Sequence, residues 1–369
     1  MPRHQATARF APGWIRRAKF GVACLRERMA FPKDAERIAE VKDLYRSVWS
    51  HGGRVPLSWV RSTPEIPFSN LGDQLSSTVI AAITRAPADH INFNSQKPRL
   101  LGIGSIGHQQ RAGAVHVWGS GFGAKLRNAS GALEPFSGFP ETIYKIHALR
   151  GPISRSILAR IGVPSPMIFG DPAWFIPRIF PHRRKPRHEL GVVLHLAELA
   201  EPRPEAQPKR QILRYEGGAA DGVKLISTYH EPSWEGFHQK IQEILDCKRI
   251  ISRSLHGMII AEAFGIPCAF IANNPFDAHR IPVNADAAYL DARFADAYAG
   301  FGCKDILSYG MPRTSPTAWD RVIKALDQLW EPISFDGRDL LDAFPLPKAV
   351  SFEDKNWSLP RSLIEALQW

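Results

Sequence analysis

The chain has 369 residues, of which 44% are hydrophobic and 22% are charged, a composition typical of a globular protein of about two domains and not of a disordered or fibrous chain. Its formal net charge of +11 favours an anionic partner, such as an anionic substrate, a membrane surface or a nucleic acid. There is no apolar run of about 18 residues, no signal-peptide pattern and no Cys-x-x-Cys pair among the four cysteines, so we expect a cytoplasmic protein without a membrane span, a disulfide scaffold or a structural zinc site.

The N-terminal part of the chain predicts an extension that precedes the first domain. We assign residues 1–60 to this helical extension, with one amphipathic helix over 33–50 because apolar residues recur there at helical spacing. The segment Asn70–Asp73 predicts a turn, and Asp73 is the expected N-cap of the helix that follows.

Short apolar runs and helical patterns alternate from residue 61 onward. The first-half runs predict buried strands over residues 99–104, 114–118 and 142–149. The third run leads into Arg150-Gly151-Pro152, where the proline suits the first turn of a helix. We expect these elements to form one Rossmann-like domain over 61–180.

The second half repeats the alternation after a basic, proline-rich linker at 177–186. Its predicted strands cover residues 190–196, 223–228, 249–252 and 266–272. Helices are expected after Ser233 and over 256–264. The pattern predicts an α/β protein with two Rossmann-like domains that face a central cleft, the second over 187–330, followed by a helical tail over 331–369.

Two glycine-rich loops follow strands of the first domain. Gly102–Gly107 matches G-x-G-x-x-G, but the next strand begins too soon for a helix, so a pocket wall is favoured over a dinucleotide site. The loop Gly119-Ser120-Gly121 is equally consistent with backbone N–H groups that approach an anion and with a plain tight turn.

Cationic side chains mark the junctions between strands and helices. Arg150 at the start of a helix can grip a carboxylate or phosphate, or it can form an ion pair between domains. His256 lies at a predicted helix N-terminus, close to Arg253 and Ser254. This position attracts anions, and an imidazole there can transfer protons near neutral pH.

Five short motifs resemble those of the polysaccharide pyruvyl transferases, and they occur in the same order. They are Asn70–Asp73, Gly119–Gly121, Arg150–Pro152, Gly170–Pro172 and Ser254–Gly257. Together they span much of the region 61–302, over which the resemblance extends.

Two longer runs are similar to the subgroup that acts on bacterial exopolysaccharides. One is Ile251–Pro267, and the other is Leu190–Leu196, in which His195 takes the place of a histidine often found on that strand. The resemblance implies a GT-B-like pair of Rossmann domains. It also implies transfer of pyruvate from phosphoenolpyruvate to a sugar diol, which yields a pyruvate ketal and phosphate.

The resemblance also implies roles for individual residues. His256 is the candidate acid. The sugar hydroxyl can lose its proton either to His256, after it has given up its own, or to Asp73. The guanidinium groups of Arg150 and Arg253 bind the donor. Other substrate contacts are expected from Asn70, Gly72, Gly119, Ser120, Gly121, Asp171, His195 and Ser254. In many relatives an arginine directly precedes the Leu-His pair, whereas here Ser254 holds that position and the arginine is one residue earlier.

The implied partners are phosphoenolpyruvate as donor substrate and a lipid-linked oligosaccharide or polysaccharide precursor at the inner face of the cytoplasmic membrane. No cofactor, metal or nucleic acid is expected, and the sequence does not fix the oligomeric state. Two other functions stay open: a GT-B glycosyltransferase that uses a nucleotide sugar, and a non-catalytic polysaccharide-assembly protein.

Overall fold

The structure is a computed structural model that describes residues 35–128, 130–181, 185–218, 222–273 and 277–369. Most of the predicted N-terminal extension and residues 182–184 of the predicted linker lie outside the described residues. The element labels below run in chain order.

The first half contains a five-stranded sheet in the order β3-β1-β4-β5-β8, with every neighbouring pair parallel. Its elements are α1 (Ala35–Ser50), β1 (Val55–Ser58), β2 (Ser69–Asn70), α2 (Leu71–Thr84), β3 (Ala88–His90), β4 (Arg99–Leu101), β5 (Gly113–Trp118), β6 (Lys125–Arg127), β7 (Leu133–Pro135), β8 (Thr142–Ala148), α3 (Pro152–Arg160) and α4 (Ile176–Ile179). A 3-10 turn at Pro172–Phe175 precedes α4.

The second half contains a six-stranded sheet in the order β10-β9-β12-β13-β15-β14, in which only the edge strand β14 runs antiparallel. Its elements are β9 (Leu190–Val193), β10 (Val223–Ile226), β11 (Tyr229–His230), α5 (Trp234–Leu245), β12 (Ile250–Ser252), α6 (Leu255–Ala263), β13 (Cys268–Ala272), β14 (Ala278–Pro282), α7 (Ala292–Gly300), β15 (Asp305–Gly310), α8 (Trp319–Leu329), α9 (Arg338–Asp342) and α10 (Arg361–Ile364).

The predicted fold class is confirmed, because two parallel sheets with crossover helices are consistent with two Rossmann-like domains. Buried apolar runs form the central strands, as in β13, where all five residues are buried. The boundaries of the two domains stay a prediction.

The first sheet includes a strand that the sequence does not predict. This strand is Val55–Ser58, inside the segment assigned to the extension, and α1 packs against it. Its proline, Pro56, disfavours a strand when the sequence is taken alone. The N-cap assignment at Asp73 is wrong: α2 begins at Leu71 and is capped by Asn70, whose Oδ1 accepts the Gly72 N–H at 3.0 Å.

One hydrophobic core joins the two halves. Every residue of α2 is buried except Asp73, which is partly buried, and α2 packs against α6, α5 and the 3-10 turn. The tail returns to the first half, where the Trp118 Nε1–H donates to the Leu340 carbonyl at 2.7 Å. This shared core fixes the N-terminus of α2 against the second sheet. None of the helices in the described ranges has the length and hydropathy of a membrane span.

Candidate active site

The N-termini of α2 and α6 and the 3-10 turn lie together between the two sheets. Each begins with a polar cap: Asn70 for α2, Ser254 for α6 and Asp171 for the turn. These three predicted substrate-binding residues therefore use one side-chain oxygen each to accept a backbone N–H. The unpaired N–H groups and the dipoles of α2 and α6 favour an anion at this place.

A short strand crossing fixes the start of α2. Strand β2 pairs with β11 antiparallel, so that Asn70 lies opposite Tyr229. Next to it, Asn70 Nδ2 donates to Thr228 Oγ1 at 2.9 Å and the Leu71 N–H donates to the Thr228 carbonyl at 2.8 Å. The first and second halves are thus joined by hydrogen bonds directly beside the site.

His256 lies between the two halves and contacts both. A Cβ atom at position 72 would lie 2.1 Å from its Nδ1 atom, so only glycine allows the imidazole to approach α2 this closely. On the other side, His256 Nε2 lies 3.7 Å from Asp171 Oδ2. Both atoms are buried and have no hydrogen-bond partner among the described residues.

Asp73 lies in the first turn of α2, directly after Gly72, which the His256 ring contacts. Burial raises the pKa of its carboxyl to about 6, and the positive charge of His256 opposes that rise. Burial and the charge of Asp73 also raise the pKa of Tyr229. The structure therefore brings the two predicted catalytic residues, His256 and Asp73, into electrostatic range of each other and adds Tyr229.

The loop Gly119-Ser120-Gly121 lies beside Asp171. A Cβ atom at Gly119 would lie 2.3 Å from Pro172, so the loop backbone packs directly on the 3-10 turn. Ser120 is buried, and its Oγ donates to the Gly104 carbonyl at 2.7 Å, which ties this loop to the first glycine-rich loop. These contacts are those of a tight turn, while a pocket wall at Gly102–Gly107 and an anion contact by this loop stay predictions.

The sequence allows two roles for Arg150, binding of an anionic ligand or an ion pair between the halves, and the structure shows an ion pair. Its side chain is 2% exposed, and its Nη2 lies 3.0 Å from Asp296 Oδ2 on α7. Its Nη1 donates to Ser105 Oγ at 2.5 Å, and the guanidinium covers Gly121. Ser154 donates to the same carboxylate through its N–H and its hydroxyl. Because the guanidinium is engaged in this way, the geometry favours a structural role.

Arg253 and His195 lie at the carboxyl ends of β12 and β9, beside the helix that carries His256. Arg253 Nη1 donates to the Ile271 carbonyl at 3.0 Å, and His195 Nδ1 accepts the Ala197 N–H at 3.1 Å. Burial and the charges of Arg293 and Arg253 lower the pKa of His195. Arg253, which stands one residue before the position of the arginine in many relatives, therefore contacts the neighbouring strand β13.

Sequence reasoning missed Asp296, Arg293 and Tyr229. The first two lie on α7, which no motif marked, although an aspartate and an arginine in an otherwise small and apolar helix are a signal in retrospect. Tyr229 follows a predicted strand directly. Within the described ranges, no three His, Cys, Asp or Glu side chains are placed to hold a metal ion.

Residues 114–275 match the family model described as polysaccharide pyruvyl transferase. The chain carries a polysaccharide pyruvyl transferase family domain over these residues. The domain includes Asp171 and His256, whereas Asn70, Gly72 and Asp73 lie before it. The expected family resemblance is confirmed.

A crystal structure of a functionally uncharacterised protein from Klebsiella pneumoniae subsp. pneumoniae NTUH-K2044 is similar over 66% of this chain and 91% of that chain, with 12% identity and a TM-score of 0.35. That likeness is too low to bear on function. No curated protein matches the chain.

The Arg150–Asp296 pair predicts a specific loss of stability. Arg150→Ala leaves a buried carboxylate without its counter-charge, which costs about 3–5 kcal/mol of unfolding free energy. Urea unfolding without any ligand measures it, with Arg361→Ala as control because Arg361 is 92% exposed beside Glu365. If the Arg150→Ala protein is as stable as the wild type but binds phosphoenolpyruvate more weakly, Arg150 binds substrate and the stability prediction is wrong.

Proposed function

We propose that the protein transfers pyruvate from phosphoenolpyruvate to two hydroxyls of one sugar in a surface or exopolysaccharide precursor. The observation that carries this proposal is the arrangement of His256, which lies between Asp171 and the helix that bears Asp73, within a polysaccharide pyruvyl transferase family domain. The proposed acceptor is lipid-linked, and the net charge of +11 favours contact with an anionic membrane face.

The proposed reaction requires one proton to be delivered and two to be removed. An acid protonates the methylene carbon of phosphoenolpyruvate, which leaves an electron-poor carbon next to the carboxylate. One sugar hydroxyl attacks that carbon and loses its proton. The second hydroxyl then displaces phosphate by breaking the carbon–oxygen bond, and its proton leaves with the phosphate. A methyl-bearing ketal and inorganic phosphate result.

His256 and Asp73 can share these proton transfers. A protonated His256, stabilised by the buried charge of Asp171, serves as the acid. Asp73, with its pKa raised to about 6, is ionised and basic at neutral pH and can accept the hydroxyl proton. Their positions on two different helices allow them to reach donor and acceptor from opposite sides.

Ligand stabilisation tests the choice of donor. Phosphoenolpyruvate at about 100 times its dissociation constant should raise the unfolding free energy by about 2.7 kcal/mol, whereas a UDP-sugar should have no effect. His256→Gln should keep this stabilisation and lose phosphate release, measured with a lipid-linked oligosaccharide fraction as acceptor, by on the order of 10² or more. Stabilisation by the UDP-sugar alone, or by neither compound, would contradict the proposal.

Asp171 acts as a positioning residue in this proposal. Asp171→Asn keeps the oxygen that accepts the Ala173 N–H at 3.0 Å but removes the charge beside His256. We expect kcat to fall on the order of 10² while KM for phosphoenolpyruvate and the melting temperature stay unchanged.

The matched control for Asp171 is Asp246→Asn, which changes a buried aspartate that pairs with Arg187 away from His256. Its kcat should stay at the wild-type value. A parallel loss of stability in Asp171→Asn would show that the residue acts through folding instead.

We expect the substitution Asp73→Asn to lower activity and to raise stability. Because folding raises its pKa from 3.8 to about 6, the ionised form is disfavoured, so the stabilising contribution of the neutral form is lost as pH rises through 6. Asp73→Asn should therefore be more stable than the wild type at pH 8 and lose kcat by on the order of 10² or more. The wild-type rate should rise with pH around 6.

Glu262 provides the control for Asp73, because burial raises its pKa to about 7 within a network that includes Tyr298 and Trp330. Glu262→Gln should show the same gain in stability at high pH with unchanged activity. Full activity of Asp73→Asn would rule out Asp73 as the base.

A further inference from the structure

A cluster of charged side chains lies at the carboxyl ends of the central strands of the second sheet. His195 follows β9 and Arg253 follows β12, while Arg293 lies in the first turn of α7. Arg293 Nη2 is 3.3 Å from His195 Nε2. Ligands of open parallel sheets bind at this edge, so the location suits a binding site.

The carboxylates of this cluster are already paired. Asp291 accepts two bonds from Arg293, at 3.0 Å from Nε and 2.8 Å from Nη2. Burial opposes ionisation of Asp291, but these bonds and the charge of Arg293 outweigh it and lower its pKa overall. Glu198 is buried, pairs with Arg214, accepts the Tyr215 hydroxyl at 2.6 Å and lies 3.6 Å from Arg313.

The cluster has more positive than negative charge. Four arginines face these two carboxylates: Arg214, Arg253, Arg293 and Arg313. Arg214 is fully buried and donates to the Met311 carbonyl at 2.8 Å, so it is a fixed part of the fold. The four arginines exceed the two carboxylates by two positive charges in a partly desolvated place, and a bound dianion would neutralise this excess.

Arg253 and Arg293 are placed to meet such an anion. The Arg293 side chain is 40% exposed, and Arg253 is half-buried over the Phe270 ring. Guanidinium groups bind phosphate through parallel hydrogen bonds, and His195 adds a further polar group between the two. Two arginines from different elements define a fixed direction for the ligand.

We propose that Arg293, together with Arg253 and His195, forms a binding site for a phosphate group. The proposal deepens the proposed function and rests on it for the source of that group. One source is the phosphate of phosphoenolpyruvate, and the other is the diphosphate of a lipid-linked acceptor. In either case Arg293 supplies cationic charge beside His195.

Binding of inorganic phosphate tests the site without any turnover. Isothermal titration at low ionic strength should show that phosphate binds wild-type protein at least tenfold more tightly than Arg293→Gln. Arg280→Gln is the matched control, because Arg280 is 41% exposed and pairs with Asp305 and Glu331, and it should bind phosphate like the wild type. Equal affinity in all three proteins, or no binding to the wild type, would overturn the site.

Steady-state kinetics distinguish the two sources. A KM for phosphoenolpyruvate that rises at least tenfold in Arg293→Gln, with an unchanged KM for the acceptor, identifies the donor phosphate, and the reverse pattern identifies the acceptor diphosphate. If Arg293→Gln changes neither the KM for phosphoenolpyruvate nor the KM for the acceptor, the proposed phosphate site is wrong, although pyruvyl transfer itself is established. Phosphate binding that is lost in Arg293→Gln, in a protein without pyruvyl transfer, would keep the site and reject the proposed function.

Discussion

The hydrogen bonds between Asn70, Leu71 and Thr228 determine how the two halves of the protein meet. They hold the N-terminus of α2 against strand β11 of the second half, and the position of α2 then sets the position of Gly72 against the His256 ring. A displacement of this crossing would move Gly72 and Asp73 away from the His256 ring. The relative positions of the side chains in the candidate site therefore depend on the contact between the two halves and not on either sheet alone.

The polar residues around the site divide into two groups. Asn70 and Ser254 cap helix N-termini, so each has a structural partner already. Three residues are less completely satisfied: folding disfavours the charge on Asp73, and Asp171 Oδ2 and His256 Nε2 are buried without a hydrogen bond among the described residues. Groups whose environment in the folded protein is unfavourable are typical of sites that do chemistry.

The sequence predicted the alternation of strands and helices well, because buried strands such as β13 are continuous apolar runs and helices such as α5 begin with a clear cap, here Ser233. The roles expected of His256 and Asp73 stay predictions, but the structure places both at the helix N-termini between the two sheets. The pairing of Arg150 with Asp296 could not be predicted, since 146 positions separate them and only the packing of α3 on α7 brings them together. Arg293 was missed for the same reason.

The continuous core has a consequence for motion. Opening the two halves like a hinge would expose the apolar sides of α2 and α6 to water and would separate the buried charges of Arg150 and Asp296. Both changes are costly, so large rigid-body opening is disfavoured. A glycan substrate, as the proposed function requires, would then enter and leave along the loops at the strand ends, and its exchange would depend on loop mobility instead of domain opening.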